Sequence, residues 1–74
     1  MLLITRIQAY RKKFGLSQAE LAEKVGCRRE TIGKLENGKY NPSLRLAMSI
    51  AQVFGTTVED VFRFDEEGHV GFLD

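Results

Sequence analysis

The 74-residue chain predicts an all-α fold of five short helices, with material at its two ends for a small two-stranded β-ribbon. Three observations point there. Apolar residues return at steps of three and four in successive stretches, the spacing that lines one face of a helix. Gly15, Gly26, Gly38 and Gly55 stand just behind the last apolar residue of four of these stretches, where a helix end favours a residue free to adopt a left-handed backbone. Ser17, Ser43 and Thr57 precede three of them, each placed so that its hydroxyl oxygen accepts from an amide of the first turn. A chain of this length supports one hydrophobic core, so residues 1–74 are read as a single domain, with 66–74 a candidate flexible tail.

Leu2, Leu3 and Ile4 form an apolar run that fits either the first turn of a helix or a short strand. From Ile4 to Phe14, the residues Ile7, Tyr10 and Phe14 share one face, and Arg11, Lys12 and Lys13 fall in the last turn, where the helix dipole favours cations. Gly15 is the stop. Ser17 and Glu20 then form a capping box for a helix from about Ser17 to Val25, with Leu21 and Val25 facing inward and Ala22 small enough for a close crossing. Gly26 turns the chain. A third helix runs from about Arg28 to Glu36, with Ile32 and Leu35 on its apolar face and Arg28, Arg29, Gly33 and Lys34 on others. Two features weaken it: arginine stands at the cap position, and Gly33 inside the helix costs about 1 kcal/mol relative to alanine.

Lys39-Tyr40-Asn41 reads as a polar loop, and Pro42-Ser43 opens a fourth helix, from Leu44 onward, whose buried stripe is Ala47, Ile50, Ala51 and Phe54, closed by Gly55. Leu46 and Met48 fall off the stripe as surface or boundary residues. Thr57 caps a last helix, Val58 to about Phe62, with Asp60 as the reciprocal box residue. Val61 lies on its core-facing side, which leaves Val58 and Phe62 as candidates for a contact between subunits. Phe62, Phe64, Val70 and Phe72 alternate with polar or small residues around a turn-like Asp65-Glu66-Glu67-Gly68.

The net charge of +1 conceals a division: residues 1–45 hold ten Lys/Arg against four Glu, and residues 46–74 hold one Arg against six acids. A basic front attracts phosphate, and an acidic rear keeps the molecule soluble and orients it. With one cysteine no intramolecular disulfide forms, and Cys27 has no Cys/His cluster around it; it reads as a small side chain in the turn. The opening apolar run is too short for a signal peptide or a membrane span, so a cytoplasmic protein with no membrane partner is expected. Catalysis is not expected, because the sole histidine, His69, lies in the tail and no nucleophile–base set is assembled. No cofactor, metal or small-molecule substrate is implied.

Helix, glycine turn and a second helix with a polar, cationic outer face make a helix-turn-helix, whose second helix reads base edges in the DNA major groove. The residues Gly15-Leu16-Ser17-Gln18, Glu20-Leu21-Ala22, Gly26, Thr31-Ile32, Lys34-Leu35-Glu36-Asn37-Gly38 and Asn41-Pro42-Ser43-Leu44 together resemble the Xre/Cro family of phage-repressor-like DNA-binding domains over roughly positions 5 to 64. The resemblance implies a five-helix, lambda-repressor-like domain. It also implies that Arg11 pairs with Glu36, tying the first helix to the end of the recognition helix. The small cytolysin-repressor type within the family pairs an N-terminal strand with one after the last helix, here Leu2–Ile4 against Arg63–Asp65, which would cover Leu3 and Phe64.

The resemblance carries base reading to Arg28, Arg29, Glu30 and Lys34. Arg29 offers a fork that matches guanine N7 and O6. Glu30 either accepts from cytosine N4 or holds Arg29 or Lys34, the second being favoured. Gln18 and the first-turn amides of its helix suit one phosphate, and Asn37, Lys39, Tyr40 and Asn41 suit the backbone on the other side. The expected function is a sequence-specific regulator of transcription, a repressor that binds a palindromic operator in double-stranded DNA as a homodimer. The alternatives are the antitoxin of a toxin–antitoxin pair and a protein-interaction adaptor that keeps the fold; the cations of the third helix speak against the adaptor.

Overall fold

The leading apolar run forms a strand. In the computed structural model, which describes residues 2–65, β1 (Leu2–Thr5) pairs antiparallel with β2 (Phe62–Asp65), placing Leu3 opposite Phe64 and Thr5 opposite Phe62. Directly opposed residues point to the same face of a sheet, so these four turn toward the helices while Leu2, Ile4, Arg63 and Asp65 turn away. Leu3 is buried, but Phe64, expected to be covered with it, remains 40% exposed. Because Leu2–Thr5 is committed to the ribbon, α1 (Ile7–Lys13) begins three residues later than Ile4, and the Arg6 amide donates to the Val61 carbonyl at 2.9 Å.

The two helices of the expected motif follow. α2 (Gln18–Val25) carries the complete capping box: the Glu20 amide donates to Ser17 Oγ at 3.0 Å, and the Ser17 amide donates to Glu20 Oε1 at 2.8 Å. Hydrogen bonding from the Ser17 amide first, and then from the Ser17 hydroxyl, holds the Glu20 carboxylate below its usual pKa. Gly26 takes φ +74° at the end of α2, and α3 (Arg29–Glu36) starts from an extended Arg28 whose side chain makes no cap bond. The weak cap read from the sequence is therefore present. Ile32 and Leu35 are fully buried, as is Leu21 of α2, and Ala22 lies between the helices.

Gly38 has a requirement of its own. Its φ is +69°, and a Cβ there would lie 2.5 Å from the Leu3 carbonyl oxygen. The chain leaving α3 thus passes against the backbone of β1 at a point where only hydrogen fits.

α4 (Leu44–Val53) buries Ala47, Ile50 and Ala51, with Phe54 just beyond it. Leu44, which opens the helix, is 73% exposed, and among the described residues the first turn of α4 projects past the core. Leu46 is partly buried against the core and Met48 faces out. Phe54 stacks on Tyr10 with ring centroids 5.1 Å apart and meets Phe14 edge-on at 5.4 Å, joining α4 to α1.

α5 (Val58–Val61) is capped by Thr57, whose Oγ1 accepts from the Asp60 amide at 3.2 Å. The reciprocal arm expected from Asp60 is absent. Its carboxylate instead accepts from the Tyr10 hydroxyl, from Thr56 Oγ1 at 3.0 Å and from Arg6 Nη1 at 3.2 Å, locking α5 to α1. A second correction concerns Phe62. As the first residue of β2 it points inward opposite Thr5, and at 8% exposure it belongs to this chain's own core. It has little surface left for a partner, whereas Val58 is half-buried.

Candidate nucleic-acid interface

With Ile32 and Leu35 turned inward, α3 presents its other face to solvent. Arg28, Arg29, Glu30 and Lys34 are all exposed there, grouped on the first two turns as the sequence placed them. Among the described residues the ion pairs are Arg6–Asp60 and Arg11–Glu36, so the charges of Arg28, Arg29 and Lys34 face water. Glu30 therefore holds neither Arg29 nor Lys34, contrary to the favoured expectation for it. Asn37, Lys39, Tyr40 and Asn41 follow α3 and are exposed as well.

Behind this face the expected Arg11–Glu36 pair is made. Arg11 Nε donates to Glu36 Oε2 at 2.8 Å and Nη2 to Oε1 at 3.3 Å, while Nη1 donates to the Leu16 carbonyl at 3.0 Å. Both side chains are nearly enclosed, 12% and 8% exposed. The hydrogen bond to Glu36 raises the Arg11 pKa against the opposing effect of burial, so the guanidinium stays charged at any pH where the protein is folded.

The same carboxylate has a further partner that the sequence did not announce. Gln18 Nε2 donates to Glu36 Oε1 at 3.0 Å, and Gln18 Oε1 accepts from Arg29 Nη1 at 3.4 Å. The half-buried Gln18 side chain is thus engaged within the protein instead of reaching out alone from its helix. Residues 18, 29 and 36 stand at no local spacing that signals this; only the crossing of α2 and α3 brings them together. The capping box uses the Ser17 and Glu20 amides, and the Leu21 amide bonds Ser17 O at 3.0 Å, which leaves the Gln18 and Ala19 amides at the positive end of α2.

Cys27 sits partly buried in the turn between α2 and α3, and burial pushes its thiol pKa up, away from thiolate chemistry. Among the described residues no three metal-ligating side chains gather, and no helix is long and apolar enough to cross a membrane. His69, Val70, Phe72 and the rest of the tail lie outside the described residues.

Two helices crossing at a glycine turn, with the second turned cation-first to solvent, define a helix-turn-helix DNA-binding fold. The helix-turn-helix family HTH_3 matches residues 7–61, and the chain belongs to that family, the Xre family of non-enzymatic transcriptional regulators. It is 64% identical over 63 residues to an uncharacterized HTH-type transcriptional regulator of Archaeoglobus fulgidus, covering 85% of this chain and 90% of that one. Among solved structures it is similar to the P22 c2 repressor in complex with a synthetic operator, with TM-score 0.70 and 26% identity over 73% of this chain and 82% of that one. It is also similar to SinR, a master regulator for biofilm formation, in complex with DNA, with TM-score 0.67 and 34% identity over 73% of this chain and 87% of that one.

Proposed function

We propose that this regulator binds a palindromic operator in double-stranded DNA as a homodimer and represses by occupying it, with α3 in the major groove. The observation that carries the reading is the exposed cluster Arg28, Arg29 and Lys34 on α3 without acidic partners among the described residues. Cations left free on a helix of this motif are unexplained by packing and suited to guanine edges and phosphate. Glu30, free of an internal ion pair, accepts from cytosine N4. The Gln18 and Ala19 amides receive one phosphate, and Asn37, Lys39, Tyr40 and Asn41 hold the backbone on the far side of α3.

The dimer uses the apolar face that α4 and α5 leave uncovered. Leu44 and Met48 are one turn apart and exposed, and Val58 shares a shallow groove with Met48. These replace Phe62 in the contact first expected from the sequence. A two-fold axis through such a face sets two copies of α3 about 34 Å apart, one turn of DNA.

Selection from a randomised duplex library at two salt concentrations tests this function. The expected result is an enriched palindrome whose affinity falls steeply with salt. Enrichment of no sequence, with weak binding at physiological salt, would refute it.

A further inference from the structure

The outer edge of β2 carries backbone groups and charges that the described chain leaves unpaired. The Arg6 amide donates to the Val61 carbonyl at 2.9 Å, which sets the alternation of the β1–β2 ladder. Bonded pairs fall at Ile4–Arg63 and Leu2–Asp65, and Phe64 lies in the unbonded position opposite Leu3. Two contacts agree with that alternation: the Phe62 amide turns back to the Val58 carbonyl instead of crossing to β1, and the Leu3 carbonyl is met by Gly38. The N–H and C=O of Phe64 therefore point outward from β2, where no backbone group of the described residues meets them. The Phe64 side chain is 40% exposed beside them. Arg63 and Asp65, on the sheet face turned from the helices, are exposed and make no ion pair among the described residues.

From this geometry we propose that the edge of β2 docks on the same edge of a second copy, antiparallel about a two-fold axis through Phe64, joining two ribbons into one four-stranded sheet. The outward groups and the charges select that register. The two Phe64 residues exchange both N–H···O bonds, and Arg63 of each copy lies opposite Asp65 of the other in the close, unbonded positions that flank them. Centring on Arg63 would instead oppose two like charges, and centring on Phe62 would need an amide already given to Val58. The Phe64 rings come side by side and shield one another. An edge carrying charges of a single sign repels its own copy; Arg63 and Asp65, of opposite sign, do the reverse. This contact is separate from the α4–α5 face and small, so it is weak and acts between copies held close. Regulators on neighbouring operators are such copies, and that use alone rests on the proposed function.

The test reads self-association of the full chain in the Met48→Glu background, which removes the α4–α5 contact. Sedimentation at concentrations rising to hundreds of micromolar is paired with hydrogen exchange of the Phe64 amide. The parent is expected to form dimers as concentration rises, with exchange of that amide slowing in step. Arg63→Asp and Asp65→Arg each set like charges opposite one another and should each weaken association about tenfold or more. The double variant Arg63→Asp/Asp65→Arg, and an equimolar mixture of the two single variants, should associate as the parent does. Phe64→Pro removes the outward N–H without touching the β1 ladder and should abolish association, with melting curves confirming that every variant folds. Single variants that associate like the parent, or a charge-swapped double variant that stays monomeric, would overturn the proposal. So would a parent that stays monomeric throughout; slow exchange of its Phe64 amide at every concentration would then assign the edge to residues 66–74. If Met48→Glu is still dimeric at tens of micromolar and the single charge variants dissociate it, the β2 contact stands and the α4–α5 dimer falls.

Discussion

At the scale of single residues, two glycines five positions apart answer to different constraints. Gly33 is in a helix where a Cβ would make only ordinary contact, 3.9 Å from Gln18 Nε2, so alanine fits there without displacement. Gly33→Ala should raise stability by about 1 kcal/mol, some 4–8 °C in Tm, readable in a thermal melt. Gly38 is held at φ +69° with the Leu3 carbonyl where its Cβ would be. Gly38→Ala should lower stability by about 2 kcal/mol or more, from left-handed strain plus displacement of β1. Pattern reading separated the helix-interior Gly33 from the helix-ending Gly38 but could not show the crowding at Gly38, because the strand that causes it lies 35 residues away in the sequence. Arg11 and Glu36 were paired from the family resemblance, and the structure adds their enclosure. Removing either partner leaves the other charge poorly solvated, so Glu36→Ala should cost about 3 kcal/mol by urea denaturation, well above an exposed pair.

At the scale of elements, periodicity and punctuation located all five helices, because most of their ends have a local chemical cause; the exceptions are the start of α1, set by the pairing of β1, and that of α3, where Arg28 makes no cap bond. The capping box of α2 and the glycine after it are legible within four residues of each end. What was not legible was decided between elements. Phe62 looks outward on a helix yet turns inward once the chain becomes β2. Asp60 has the spacing of a box residue and is drawn away by Tyr10, Thr56 and Arg6, three donors supplied by tertiary structure. Those hydrogen bonds, the Tyr10 hydroxyl first, hold its pKa below the ordinary carboxylate value despite burial. A depressed folded pKa means that the ionised carboxylate stabilises the fold above the unfolded pKa of about 3.9, and that this stability is lost as pH falls through the lower folded value. Wild type should therefore exceed Asp60→Asn in Tm at pH 6, and the gap should narrow by pH 3.

At the scale of the whole molecule, the charge division of the sequence agrees with the proposed function: the cations of α3 and its flanking loop lie in the basic first part of the chain, and the acids gather in the last part. The exposed, cationic face of α3 was legible because a polar face opposite the Ile32 and Leu35 stripe shows in the spacing alone. The hydrogen bonds of Gln18 were not, since its partners Arg29 and Glu36 lie 11 and 18 residues away in the sequence. The proposed dimer face could only be corrected once burial was known. Met48→Glu should leave the monomer folded, shift sedimentation at tens of micromolar toward monomer mass, and weaken operator binding. A variant that stays dimeric would move the interface elsewhere.

The central claim, that α3 reads base edges from the major groove through Arg29, is tested most directly on the enriched duplex by replacing with 7-deazaguanine the guanine whose preference Arg29→Ala relaxes. That change removes only the N7 acceptor in the major groove. Wild type should lose about fivefold or more in affinity, while Arg29→Ala should bind the two duplexes equally. Equal losses for both proteins, or no loss for wild type, would contradict the account.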